Sequence, residues 1–119
     1  MSLKVLIADD ERLVRFGLKL VLKSIWPQVE ISEAENVDGV VALITKISYD
    51  LVILDIQMPG SDGLENLIRF MLVETKVIVF SGYEPTSPRI QSLRDAGVDE
   101  FIFKDASVNE IKEKLCKYF

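Results

Sequence analysis

Four short stretches of the chain carry residue types from which chemistry could be assembled: Asp9-Asp10-Glu11, Asp55 with Gln57 just beyond it, Ser81-Gly82, and Lys104. Three carboxylates, those of Asp9, Asp10 and Asp55, would repel one another and raise each other's pKa if brought together, so their convergence makes sense around a hard divalent cation. Mg²⁺ is the natural candidate, because it takes oxygen ligands and keeps several waters, leaving room for phosphate oxygens. Lys104 would set a compact positive charge against the same cluster, while Ser81 and the backbone N–H of Gly82 would donate hydrogen bonds to a phosphoryl oxygen. Phosphoryl transfer asks for little more than this: a group held in line and its charge neutralised. Asp55 is the best nucleophile, and Asp9 and Asp10 are better placed to hold the metal. An acyl phosphate on Asp55 would be short-lived, which suits a signal rather than a store. Taken singly, each piece has a plain alternative, namely a solvated or helix-capping aspartate, an exposed lysine, or a serine-glycine turn.

These residues meet only if the segments before them run side by side. Short apolar runs rich in β-branched residues recur at 4–8, 29–32, 51–54, 76–80 and 101–103, each too short for an ordinary helix. Between them the period becomes helical: Leu13, Gly17, Leu20 and Ser24 share one stripe, then Val37, Val40, Val41 and Ile44, then Leu64, Leu67, Ile68 and Met71. Trp26-Pro27 ends the first helix, Ile90 and Leu93 mark a shorter fourth closed by Gly97, and Ser107 caps a fifth whose inner face carries Ile111 and Leu115. The pattern is (βα)₅, a parallel sheet covered on both faces. The run 51–54 is apolar on both sides, as a central strand should be. Ligands of such open sheets bind beyond the carboxyl ends of the strands, where strand order reverses. The residues that follow strands one, three, four and five are Asp9-Asp10, Asp55, Ser81-Gly82 and Lys104. The irregular stretch 82–88, with two prolines and a glycine, lies beside them and suits a mobile segment.

Composition narrows the function classes. At 119 residues with 49% hydrophobic content the chain suits one domain with a real core. A net charge of −5 spread over mixed residues lacks the basic footprint of a nucleic-acid-binding surface. The single cysteine, Cys116, cannot form an internal disulfide and reads as packing filler near the end of the fifth helix. No run is long and apolar enough for a membrane span or signal sequence, so a cytoplasmic location is expected. Histidine is absent, so any phosphohistidine must belong to a partner.

Taken in order, the motifs resemble the receiver domain of bacterial two-component response regulators, over essentially the whole chain. They are Leu6-Ile7-Ala8-Asp9-Asp10-Glu11, Asp50-Leu51-Val52-Ile53-Leu54-Asp55-Ile56-Gln57-Met58-Pro59-Gly60 with Asp62-Gly63, Val79-Phe80-Ser81-Gly82-Tyr83, Asp95-Ala96-Gly97-Val98 and Phe101-Ile102-Phe103-Lys104. The resemblance implies a flavodoxin-like α/β fold with a five-stranded parallel sheet in the order 2-1-3-4-5. It implies that a sensor histidine kinase is the partner and that Asp55 accepts the phosphoryl group, with Mg²⁺ on Asp10, Asp55 and the main-chain carbonyl of Gln57, and Asp9 acting through water. Ser81 would move to meet one phosphoryl oxygen while Lys104 contacts another. Phe101 matches the aromatic position that turns inward in response, remodelling the surface of helix four, strand five and helix five; plain core packing is the alternative for this residue. Gln57 and Tyr83 occupy positions where side chains tune phosphate lifetime, and slightly altered acyl-phosphate decay is expected in Tyr83→Ala. Such a domain transfers phosphoryl to itself and loses it again without turning over external substrate. Homodimerisation on activation, through helix five or the neighbouring face, belongs to the same expectation.

One departure from the commonest pattern is Lys104-Asp105-Ala106-Ser107 in place of a Lys-Pro pair. That form is familiar from receivers joined to a helix-turn-helix domain, which hints at transcriptional control, with DNA contacted only through an output domain. Residues 1–119 are read as one receiver domain, with an output domain either absent by nature or severed after Phe119. Three other readings compete. A flavodoxin-like cofactor module should have a Gly-, Ser- and Thr-rich first loop rather than Asp9-Asp10-Glu11. A small Asp-nucleophile phosphatase would usually carry a second Asp where Gln57 stands. A degenerate interaction module would have lost pocket residues that are all present here.

Overall fold

The computed structural model describes residues 2–82 and 87–119. Strands and helices alternate along the chain: β1 (Lys4–Ala8), α1 (Arg12–Ile25), β2 (Glu30–Ala34), α2 (Val37–Ile44), β3 (Leu51–Leu54), α3 (Leu64–Met71), β4 (Lys76–Ser81), α4 (Pro88–Ala96), β5 (Glu100–Phe103) and α5 (Val108–Cys116). All pairings are parallel and the sheet order is β2-β1-β3-β4-β5, the expected flavodoxin-like architecture with β3 at its centre.

Period-two alternation divides the core into two layers. Val5, Ile7, Leu51, Ile53, Ile78, Phe80 and Ile102 pack with Leu18 and Leu22 of α1 and Ile111 and Leu115 of α5. The intervening residues Leu6, Val52, Leu54, Val77, Val79 and Phe101 pack on the other side with Val40, Leu64, Leu67, Ile68, Ile90 and Leu93 of α2, α3 and α4. Because the central strands are buried on both faces, they read as continuous apolar runs.

Local signals set the helix ends, as expected at Trp26-Pro27, Gly97 and Ser107 and additionally at Ser87. The Trp26 amide bonds back to the Leu22 carbonyl as α1 stops before Pro27. Ser87 and Ser107 accept the amides of Arg89 and Glu110 as N-caps of α4 and α5. Gly97 closes α4 at φ 120°, a left-handed conformation that side chains disfavour.

Four expectations need correction. The stripe Leu13, Gly17, Leu20 and Ser24 of α1 faces solvent, Leu13 being 85% exposed, while Leu18 and Leu22 are buried. Apolar residues occur on both sides of this helix, and the sheet takes the denser set of Val14, Leu18, Val21, Leu22 and Ile25. In α3, Met71, the last residue of the helix, is exposed whereas Leu64, Leu67 and Ile68 are buried. β2 spans Glu30–Ala34 rather than 29–32, because pairing with β1 rather than apolarity sets its limits. Cys116 is exposed and fills no core space. Two smaller shifts lengthen strands: Ser81 is the last residue of β4, and β5 begins at Glu100. Among the described residues no helix is long and apolar enough to cross a membrane.

Candidate functional site

Register brings the chemistry-bearing residues to one edge. Ala8 pairs with Leu54, so Asp9 and Asp55 each stand one step beyond neighbouring strands, and the Asp55 amide donates to the Ala8 carbonyl at 2.9 Å. Ser81 pairs with Phe103, so Lys104 stands one step beyond β5, its amide donating to the Ser81 carbonyl at 2.8 Å. Strand β4, between β3 and β5, separates the aspartates from the lysine, and the long Lys104 side chain reaches back across it.

The two buried aspartates are held alike. Asp9 Oδ1 accepts the Glu11 amide at 2.8 Å and Asp55 Oδ1 accepts the Gln57 amide at 3.0 Å. In both, one oxygen is held by the backbone two residues on, as in an Asx turn. The other oxygen of each faces Lys104, whose Nζ lies 3.4 Å from Asp9 Oδ2 and 3.5 Å from Asp55 Oδ2. Glu11 adds a looser contact to Lys104 at 3.8 Å. Asp9 and Asp55 are each only 1% exposed, whereas Asp10 is exposed. None of the three is a helix cap, the N-cap position of α1 being Glu11.

One cation therefore serves two buried carboxylates with a third close by. Burial pushes the Asp55 carboxyl above its ordinary range, the charges of Asp9 and Asp10 add to that, and the Gln57 amide and Lys104 oppose it. Burial pulls the Lys104 ammonium down, but the charges of Asp55 and Asp9 outweigh it and raise its pKa. Oxygens of Asp9, Asp10 and Asp55 all come within 4.8 Å of one another. Asp9 Oδ2 and Asp55 Oδ2 are buried without a hydrogen-bond partner. An all-carboxylate set with two such oxygens fits a hard cation such as Mg²⁺.

The remaining expected residues lie at the end of β4, just after it, and within β5. Ser81 is fully buried at the end of β4, and Gly82 follows it so near Gln57 that an added Cβ would lie 3.2 Å from Gln57 Oε1. Phe101 is 2% exposed in the α2, α3 and α4 layer, with the Arg94 guanidinium 4.8 Å from its ring centroid and Lys114 Nζ donating to its carbonyl at 2.8 Å. Tyr83 and most of the stretch 82–88 lie outside the described residues.

The loop after β3 is braced from below. Gly60 adopts φ 85°, and an added Cβ would meet Val37 Cβ at 3.1 Å. Arg89 of α4 donates to the Ser61 carbonyl and pairs with Glu65 at 3.1 Å.

Sequence reasoning passed over Arg15. It is 7% exposed and donates from one terminal nitrogen to the Asp9 carbonyl at 2.6 Å. The signal was a charged residue three and seven positions before Leu18 and Leu22, on the buried stripe of α1.

The family model for the response regulator receiver domain matches residues 5–116. The chain is 34% identical over 109 residues to the transcriptional regulatory protein ResD of Bacillus subtilis, covering 91% of this chain and 44% of that protein. It is 30% identical over 122 residues to sporulation initiation phosphotransferase F of the same organism, covering 99% of this chain and 94% of that one. A receiver domain protein from Methanospirillum hungatei superimposes with a TM-score of 0.84 at 24% identity, covering 98% of this chain and 93% of the other. The chain belongs to the response regulator receiver domain family of two-component signalling systems.

Proposed function

We propose that the chain is a phosphorylation-activated switch in which Asp55 accepts a phosphoryl group from a phosphohistidine of a partner sensor kinase. The observation that carries this reading is the buried Asp55 carboxylate, with one oxygen held by the Gln57 amide and the other facing Lys104, beside Asp9 and Asp10. A buried carboxylate with one oxygen held by a backbone amide and the other ion-paired to a lysine rather than hydrated is a nucleophile kept free of solvent.

In the transfer, an Asp55 oxygen forms a bond to phosphorus as the phosphorus–nitrogen bond of the donor breaks, and the imidazole leaves with that electron pair. Lys104 then exchanges its contact with the carboxylate for one with a phosphoryl oxygen, and Ser81 and the Gly82 amide donate to the others. Asp10, Asp55 and the Gln57 carbonyl would hold Mg²⁺, with Asp9 acting through water. The ion would supply charge neutralisation for the entering oxygens. Hydrolysis of the acyl phosphate by water resets the switch.

The output is read as a change at α4, β5 and α5. Phe101 lies in the core layer beneath α4, so a shift of Ser81 toward phosphate would be passed to it through neighbouring strands. An attached DNA-binding module and dimerisation on activation extend this reading, supported by the Lys104-Asp105-Ala106 form and by the regulatory role in ResD's name.

The test is incubation with acetyl phosphate and MgCl₂, followed by intact-mass measurement of wild type and Asp55→Asn. Wild type is expected to gain one phosphoryl mass, lost again on standing, while Asp55→Asn gains none. Equal modification of both proteins removes Asp55 from this role.

A further inference from the structure

The polar network behind Asp9 reaches further than any ligand of the pocket. Arg15 spreads its guanidinium over three acceptors: Nη1 donates to the Asp9 carbonyl at 2.6 Å, Nε to Glu33 Oε1 at 2.9 Å, and Nη2 to Glu35 Oε1 at 3.4 Å. Lys19, one turn further along α1, pairs with the second oxygen of Glu33 at 3.0 Å. Glu33 and Glu35 flank Ala34, whose carbonyl accepts the Asp9 amide at 3.0 Å. The Asp9 residue is thus gripped at both its N–H and its C=O.

The gripped carbonyl belongs to the peptide that joins Asp9 to Asp10. Its orientation fixes the direction in which the chain leaves β1, and so where the exposed Asp10 begins. Asp10 has no side-chain hydrogen bond of its own among the described contacts that would do this instead. A planar fork with several fixed donors can hold a carbonyl and two carboxylates at once, which an ammonium on a flexible stem cannot. Two cations, Arg15 and Lys19, stand against two carboxylates, Glu33 and Glu35, so the fork adds no net positive charge that would compete with a metal.

We infer that Arg15, backed by Glu33 and Glu35, is a positioning residue that presets the Asp9-Asp10 peptide for cation binding. The inference rests on the metal reading of the pocket given above. Outer partners that orient metal ligands commonly change affinity by about 10- to 100-fold when removed, and Arg15 stands in that relation to the Asp9-Asp10 turn.

The experiment compares wild type, Arg15→Met, Arg15→Lys and Glu100→Gln. MgCl₂ is titrated by calorimetry, thermal unfolding is recorded, and amide hydrogen exchange at residues 9–11 is followed in EDTA. Arg15→Met is expected to bind Mg²⁺ about 10- to 100-fold more weakly and to exchange the Glu11 amide faster without metal, with Arg15→Lys in between. Glu100→Gln, which loosens an ion-pair group elsewhere, is expected to lose stability and keep wild-type affinity. Should Arg15→Met not fold, the double variant Glu33→Gln, Glu35→Gln leaves the carbonyl contact but frees the fork, and a smaller weakening is expected. Wild-type affinity and unchanged exchange in a folded variant would overturn the inference. Failure of the wild type itself to bind Mg²⁺ would sink the metal reading, and the exchange measurement in EDTA would still decide whether the fork orders the turn.

Discussion

Asp55 and Glu100 sit at opposite edges of the same sheet and meet opposite fates. At the carboxyl edge, Asp55 shares one lysine with Asp9 and is pushed up by burial and by its acidic neighbours. At the amino edge, Glu100 has burial working against it as well, yet Lys117, the Phe101 amide and Lys114 outweigh that and pull its carboxyl down. Lys117 lies 3.2 Å and Lys114 3.8 Å from Glu100, and the Tyr118 hydroxyl stands 3.3 Å away. The amino edge is satisfied and the carboxyl edge is in deficit. A fold that can neutralise a carboxylate this thoroughly at one end leaves charge uncompensated at the other, where a cation and a phosphoryl group could relieve it.

That contrast can be broken most sharply by removing the shared cation. Lys104→Met leaves two buried carboxylates without their counter-ion. Since Lys104 is 21% exposed, the loss is expected near 2 kcal/mol, below the full value for a buried pair. Urea unfolding in EDTA measures it, and added Mg²⁺ should narrow the gap to wild type.

Metal addition to the wild type comes next. Mg²⁺ at ten times its dissociation constant should raise stability by about 1.4 kcal/mol through binding to the folded state alone. A thermal melt that does not move with MgCl₂ would count against a pocket in deficit.

Asp55→Asn sharpens the comparison from the other side, because it removes one of the crowded negative charges. Without metal this variant is expected to be more stable than wild type by about 1 kcal/mol at neutral pH. The sign follows from the raised folded pKa: the carboxyl holds its proton more tightly when folded, so its contribution is most favourable below the ordinary 3.8 and is lost as pH rises through the raised folded value. The stability difference should therefore shrink as the pH is lowered. A destabilised Asp55→Asn at neutral pH would show that the aspartate is satisfied after all.

The smallest effect belongs to the satisfied edge. Glu100→Gln should lose about 0.5 kcal/mol, since Lys117 is 64% and Lys114 37% exposed and solvent screens both pairs. Here the folded pKa is lowered, so the contribution is present above the ordinary 4.5 and fades as pH falls through the folded value. A wild-type stability excess that persists in acid below that range would refute the assignment.

Much of this was legible from local patterns. Strands β1 and β3 and the ends of α1, α4 and α5 follow from short apolar runs, from Trp26-Pro27, from Gly97 and from Ser107, because each signal acts within a turn of the residue that carries it. The positions of Asp9, Asp55, Ser81 and Lys104 at strand ends followed too, since alternation of strands and helices dictates where a parallel sheet opens. The inner face of α1 was not legible, because leucines on both sides of that helix satisfy the same spacing and only packing against the sheet chooses between them.

The sequence by itself determined the order of elements and the residue types available at the open edge, through propensities and spacings that need no distant partner. Tertiary structure alone decided that Asp9 and Asp55 are buried while Asp10 is exposed, that Lys104 reaches both buried carboxylates, and that Arg15 grips the Asp9 carbonyl. Glu33 and Glu35 lie 18 and 20 positions from Arg15, and Lys104 lies far beyond Asp55. Contacts over such separations form only once the strands have paired, which brings residues distant in sequence to one edge.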